Sequence, residues 1–151
     1  MPKFILVKGS AEAEQAFSKL SPFERGYIEA AFFTSTGPDN EEEGLGEDSS
    51  FSDLAPEAMA AIKDDCADFL AQVEQTRDSF GRTLLDLAFD YSPNVAYTQE
   101  QAGVDLWLTR NGHGAGFWDR GLGRVGEDLS KLARYSERSL YRGDDGLIYY
   151  Q

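Results

Sequence analysis

Cysteine and histidine are almost missing from this chain: Cys66 and His113 are single occurrences in 151 residues. A lone cysteine excludes an internal disulfide, and no CxxC or Cys/His cluster is present to build a structural zinc site. The expectation is a reducing, cytoplasmic setting with no metal and no cofactor. Long apolar runs are also missing. Phe4 to Val7 and Ala30 to Phe33 fall far short of the roughly 20 residues that a membrane span needs, and the apolar residues after Lys3 are too few for a signal-peptide core. Basic residues are scarce as well, 14 Lys and Arg against 27 Asp and Glu, for a net charge of −13. That balance argues against direct nucleic-acid binding, which requires a basic surface to neutralise phosphates. It disfavours anionic membranes for the same reason and favours a basic partner.

What the chain does have is enough apolar surface for a core, with 41% hydrophobic and 13% aromatic residues. Its length fits one domain spanning residues 1–151. The charge is unevenly placed. Residues 39–90 hold fifteen acids against Lys63, Arg77 and Arg82, a balance of −12, whereas residues 91–151 hold eight acids and seven bases, a balance of −1.

Residues 1–9 read as a tail or an edge strand around Phe4-Ile5-Leu6-Val7. Ser10 is placed to cap a first helix with Ala13, Ala16, Phe17 and Leu20 on one face. Ser21-Pro22 opens a second, with Glu24 in its first turn and Phe23, Tyr27, Ile28, Ala31 and Phe32 inward. Residues 39–52 form an acidic loop containing Glu41, Glu42, Glu43, Glu47 and Asp48. The longest helix follows over residues 56–75. Its apolar stripe is Met59, Ile62, Cys66, Phe69 and Val73, and its other faces carry Glu57, Asp64, Asp65, Asp68 and Glu74. Leu84 to Tyr91 favours a helical turn or two, and Ser92-Pro93-Asn94 reads as a turn. Thr98 with Gln101 spells a capping box for a helix that ends at Asn111-Gly112. A last helix over residues 125–135 turns Val125, Leu129, Leu132 and Ala133 inward. Asp145-Gly146 between apolar and aromatic residues signals a terminal hairpin. The sum is a mainly α (α+β) fold of about five helices with a small C-terminal β-hairpin.

Residues 107–123 hold both tryptophans, the one histidine and five of fifteen glycines. The run LTRNGHGAGFWDR over residues 108–120, with LYRGDDG over 140–146, resembles a family of small proteins encoded by bacteriophages, plasmids and integrated elements. The likeness covers residues 98–149, with a weaker echo in PFERGYIEAA over 22–31. It implies a mobile-element origin and a helix, short helix and hairpin in the C-terminal part, residues 98–151. It brings no settled activity.

Two sites compete. His113 with Asp119 and Arg110 could serve acid–base chemistry, but no nucleophile accompanies them and a structural histidine is the simpler reading. Gly112, Gly114 and Gly116 follow a helix, where a phosphate cradle would follow a strand. Phe117, Trp118 and Arg120 could form a binding surface, against a reading in which both tryptophans are core and Arg120 pairs with a carboxylate. The other site is the acidic belt: Glu57, Asp64, Asp65 and Asp68, assisted by Glu41, Glu42, Glu43, Glu47 and Asp48. Its plain reading is a solubilising face. Its sharper reading is a nucleic-acid mimic that inhibits a basic host nucleic-acid-binding or defence protein of restriction or CRISPR type. The remaining alternatives are a small enzyme or ligand-binding protein using the His113 loop, and a phage structural or DNA-metabolism accessory protein. Oligomeric state is not legible.

Overall fold

The computed structural model describes residues 11–35, 45, 49–91 and 96–151. The readings made for residues 1–9, Ser10 and the turn at 92–94 lie outside the described residues, as do Glu41, Glu42, Glu43, Glu47 and Asp48. The fold is mainly helical, with α1 (Ala11–Lys19), α2 (Pro22–Ser35), α3 (Pro56–Glu74), α4 (Leu84–Tyr91), α5 (Gln99–Arg110) and α6 (Arg124–Leu132). Two short strands, β1 (Leu140–Arg142) and β2 (Ile148–Tyr150), pair antiparallel as the expected hairpin.

Local signals explain most helix starts. At α2 the expected Ser21 cap is a reciprocal box: Glu24 N–H donates to Ser21 Oγ at 3.1 Å, and Ser21 N–H donates to the Glu24 carboxylate at 3.0 Å. Thr83 and Asp86 make the same exchange at the start of α4, at 3.0 and 3.1 Å, which settles that segment as helix. At α5 the box is only half made. Thr98 Oγ1 accepts from Gln101 N–H at 3.1 Å, but the Gln101 amide turns down the helix to Asp105 at 3.1 Å. There the amide joins Tyr97 and Arg120 as a further donor to the buried Asp105 carboxylate, whose charge needs such partners.

The tightest packing is between α2 and α5, and no periodicity signals it. A Cβ on Gly26 would lie 1.9 Å from the Glu100 carbonyl oxygen, and one on Gly103 would lie 2.0 Å from that of Phe23. The two backbones therefore touch where both helices lack side chains. Trp107 crosses this seam, donating from Nε1 to Thr34 Oγ1 at 2.8 Å and meeting the Tyr27 ring edge-on at 5.4 Å. Phe69 of α3 stacks between Phe23 at 5.9 Å and Phe117 at 5.6 Å. The stripe read from α3 is inward, with Ile62, Cys66, Phe69 and Val73 buried and Met59 half-buried. On α6, Leu129 and Ala133 are buried while Val125 and Leu132 are half-buried.

The hairpin turns at Gly143 to Gly146, where Gly146 adopts φ 83°. It docks on the start of α3: Ala55 N–H donates to the Ile148 carbonyl at 2.8 Å, and Leu54 bridges Ile148 in parallel. This places β2 beside α3, which decides the surroundings of the charged residues considered next.

Candidate functional site

The glycine-rich stretch divides into an inward and an outward half. Arg110, in the last turn of α5, has a side chain only 2% exposed. Its Nη1 donates to Asp65 at 3.0 Å and to Tyr27 Oη at 3.1 Å; Nε and Nη2 donate to the Ser136 carbonyl at 3.0 and 2.7 Å. The guanidinium also lies over the Tyr135 ring at 5.0 Å. All three guanidinium nitrogens donate inside the protein, so Arg110 holds α5, α3 and the 133–139 segment together. Arg120 does similar work at the middle of α5. It meets the fully buried Asp105 carboxylate at 2.8 and 2.9 Å, while Tyr97 Oη donates to the same group at 2.6 Å.

Gly112 (φ 64°) turns the chain out of α5, and His113 and Asp119 are both exposed. Among the described residues no hydrogen bond or ion pair joins His113 to Asp119 or to Arg110. The grouping of these three expected from sequence is therefore not assembled: Arg110 faces Asp65 instead. The tryptophans split, with Trp107 buried and Trp118 53% exposed. Gly116 has a packing reason, since a Cβ there would lie 2.2 Å from Thr109 Oγ1, the atom that accepts from Phe117 N–H at 3.2 Å. His113 stands between two open clefts. One, about 410 Å³, is polar and includes Thr34, Asn111, Glu137 and Arg138. The other, about 400 Å³, is apolar and includes Phe33, Val104 and Leu108. The polar cleft presents Glu137, Arg138, His113 and the carbonyl ends of α2 and α5, a mixture that selects no single charge of ligand.

The acidic belt divides too. Asp65 leaves it. Besides Arg110 it approaches Arg138 at 3.4 Å and accepts a short hydrogen bond from Tyr150 Oη, which in turn lies 2.7 Å from Tyr27 Oη. Its neighbours Tyr27, Tyr135, Tyr150 and Arg138 were not legible as a group, since they come from α2, β2 and the 133–139 segment. Burial pushes the Tyr27 phenol up to about 12, against the opposing pull of Arg110. Burial likewise raises Tyr150, and the Tyr27 and Asp65 oxygens add to it. These phenols stay protonated and serve as donors. Cys66, beside this cluster, is also pushed up by burial, so it carries no reactive thiolate.

Glu57, Asp64 and Asp68 remain on the surface. They are spaced by seven and four residues, so they share one stripe of α3, about 10 Å and about 6 Å apart along its axis. Asp68 accepts from Tyr135 Oη at 2.8 Å and from Gln72 at 3.2 Å, both neutral donors that leave its charge intact. Glu74, by contrast, is paired with Arg77 at 2.7 Å. Among the described residues no cluster of three or more His, Cys, Asp or Glu could hold a metal ion, and no helix is long and apolar enough to cross a membrane. Comparison of the chain with protein-family models, curated proteins and solved structures gives no match.

Proposed function

We propose that this is a non-enzymatic acidic binding protein of a phage or related mobile element. It inhibits a basic host nucleic-acid-binding or defence protein, of restriction or CRISPR type, by occupying that protein's nucleic-acid channel. The observation that carries this reading is the stripe of Glu57, Asp64 and Asp68: three exposed carboxylates on one rigid face of α3, with no Lys or Arg ion pair to them among the described residues. Carboxylates in a row on a helix offer a basic channel regularly spaced negative charge on a preorganised support. Clustered like charge costs folding stability through repulsion, so its retention on one face fits a use in binding. The resemblance carried by residues 98–149 supplies the mobile-element setting. Among the described residues neither a carboxylate nor a nucleophile is hydrogen-bonded to the His113 side chain, which weakens the competing use in catalysis.

The test is a neutralised stripe, Glu57→Gln, Asp64→Asn and Asp68→Asn together, which preserves the acceptors that Tyr135 and Gln72 need. Asp65 must be spared because it holds Arg110. Wild type should retain from host lysate a basic nucleic-acid-binding protein that the triple variant releases. That protein, once purified, should lose its nucleic acid when wild type is added and keep it when the variant is added. If wild type and variant displace nucleic acid equally, the stripe is only a solvated face.

A further inference from the structure

Asn111 and Gly112 end α5, and together they are also a reactive pair. In an asparagine–glycine dipeptide the side-chain amide is open to attack by the next backbone nitrogen, because glycine has no Cβ to crowd that nitrogen. The Gly112 nitrogen would give its proton to solvent and bond to Asn111 Cγ. The Cγ–Nδ2 bond would break, Nδ2 leaving as ammonia with a proton taken from solvent, and a five-membered imide would remain. Water then opens the imide to aspartate or isoaspartate, so water is the one co-reactant.

Solvent access does not block this step. Gly112 is exposed, a Cβ there would meet nothing within 4 Å, and Asn111 lines the open polar cleft. Hydrogen bonds and backbone geometry do block it. Asn111 Nδ2 donates to the Trp107 carbonyl at 3.0 Å, and Oδ1 accepts from Arg138 N–H at 2.9 Å. The amide is therefore pinned at both ends, to α5 on one side and to the 133–139 segment on the other. The attacking nitrogen is engaged too, since Gly112 N–H donates to the Thr109 carbonyl at 3.3 Å. At ψ 3° the Gly112 nitrogen eclipses the Asn111 nitrogen, whereas ring closure needs it to eclipse Cβ. The rotations that achieve this take the amide off Trp107 and Arg138.

Of the two anchors, Arg138 is the one able to lift. Residues 134–139 have no regular secondary structure, and four of the six are exposed. Two side chains hold the segment down: Arg110 at the Ser136 carbonyl, and Tyr135, whose Oη meets Asp68 at 2.8 Å and Gln72 at 2.6 Å. Short surface segments of this kind open locally at a smaller free-energy cost than the core.

We propose that Asn111 is a latent deamidation site that the fold keeps shut, and that local lifting of the 133–139 segment opens it. The change is one-way: the product lacks the Nδ2 donor to Trp107, so a reacted chain closes with a weaker latch. The site is independent of any partner of the acidic stripe.

The test follows two rates in the full chain. Peptide mapping by mass spectrometry gives deamidation of Asn111 in native buffer and in unfolding urea, and hydrogen exchange gives the protection of the Arg138 amide. Native deamidation should be slower than in urea by at least about tenfold. The slowing should equal or exceed the Arg138 protection factor, because both reactions require the same bond to break, and should fall below that of the buried α2 amides. Tyr135→Phe, which keeps the ring over Arg110 and touches neither reacting residue, should speed both rates together by about two- to tenfold. Deamidation slowed less than Arg138 is protected would mean that the amide reacts without the segment lifting, and overturns the proposal. Slowing equal to the protection of the α2 amides overturns it as well, since only global unfolding would then expose the site. So does a Tyr135→Phe chain in which Arg138 exchange rises and deamidation does not.

Discussion

Asp64 and Asp65 are adjacent in sequence and opposite in circumstance, and the same division runs through the 107–123 stretch between Arg110 and His113. Asp64 is exposed on α3, whereas Asp65, one residue on, meets Arg110 at 3.0 Å across the core. Arg110 is the buried end of that pair, and His113, three residues later, faces solvent between two clefts. Each region mixes internal ties with a surface that remains available. A residue's chemistry alone does not tell which it is. A charge buried opposite a partner is committed to the fold, because separating the pair leaves an uncompensated ion in a poorly solvated place.

The sharpest way to break this comparison is to remove each member in turn. Asp65→Ala should destabilise the protein by roughly 3–5 kcal/mol in urea unfolding, because it strands Arg110. Asp64→Ala should change stability by no more than about 0.5 kcal/mol. Equal effects would mean that the two carboxylates are alike after all.

Alkaline titration reaches the same cluster from the phenol side. Tyr27 is neutral when protonated, and its folded-state value is raised from 10.0 to about 12. Its contribution is therefore complete below pH 10 and is lost as pH rises through about 12. The loss is on the order of 2–3 kcal/mol, and Tyr150 shifts in the same direction. Circular dichroism in a fixed sub-denaturing urea concentration should show stability falling over that window, with a shallower fall in Tyr27→Phe. A flat profile would place Tyr27 in contact with water.

Smaller effects sharpen the outward half. Gly112→Ala has open space for its methyl group but a φ of 64°, so the expected cost is about 1–2 kcal/mol, entirely from backbone conformation. His113→Ala should stay within about 0.5 kcal/mol and leave the proposed inhibition intact. Loss of that effect in a normally stable His113→Ala protein would return the glycine-rich loop to first place as the functional site.

Much of the secondary structure was legible because its causes are local. Ser21 and Glu24 exchange hydrogen bonds three residues apart, and Asn111-Gly112 ends α5 in the left-handed turn that glycine allows. Asp145-Gly146 turns the hairpin, and the three- and four-residue steps of Ile62, Cys66, Phe69 and Val73 set the buried face of α3. The candidate sites were legible only as an inventory. Arg110 looked like a neighbour of His113 because three residues separate them; its actual partner lies 45 residues away. Helical periodicity could place Asp65 off the main apolar stripe, but it could not show that β2 and the 133–139 segment would cover it.

By itself, then, the sequence determined the helices, the Ser21 cap, the terminal hairpin and the imbalance of charge, all of which follow from contacts within a few residues or from composition. Tertiary structure alone decided which charges face inward, because that depends on what packs beside them. Gly26 and Gly103 let α2 and α5 meet backbone to backbone, the hairpin settles against α3, and Asp65 and Arg110 become one internal pair. Glu57, Asp64 and Asp68 stay in water because none of these elements covers their face of the helix.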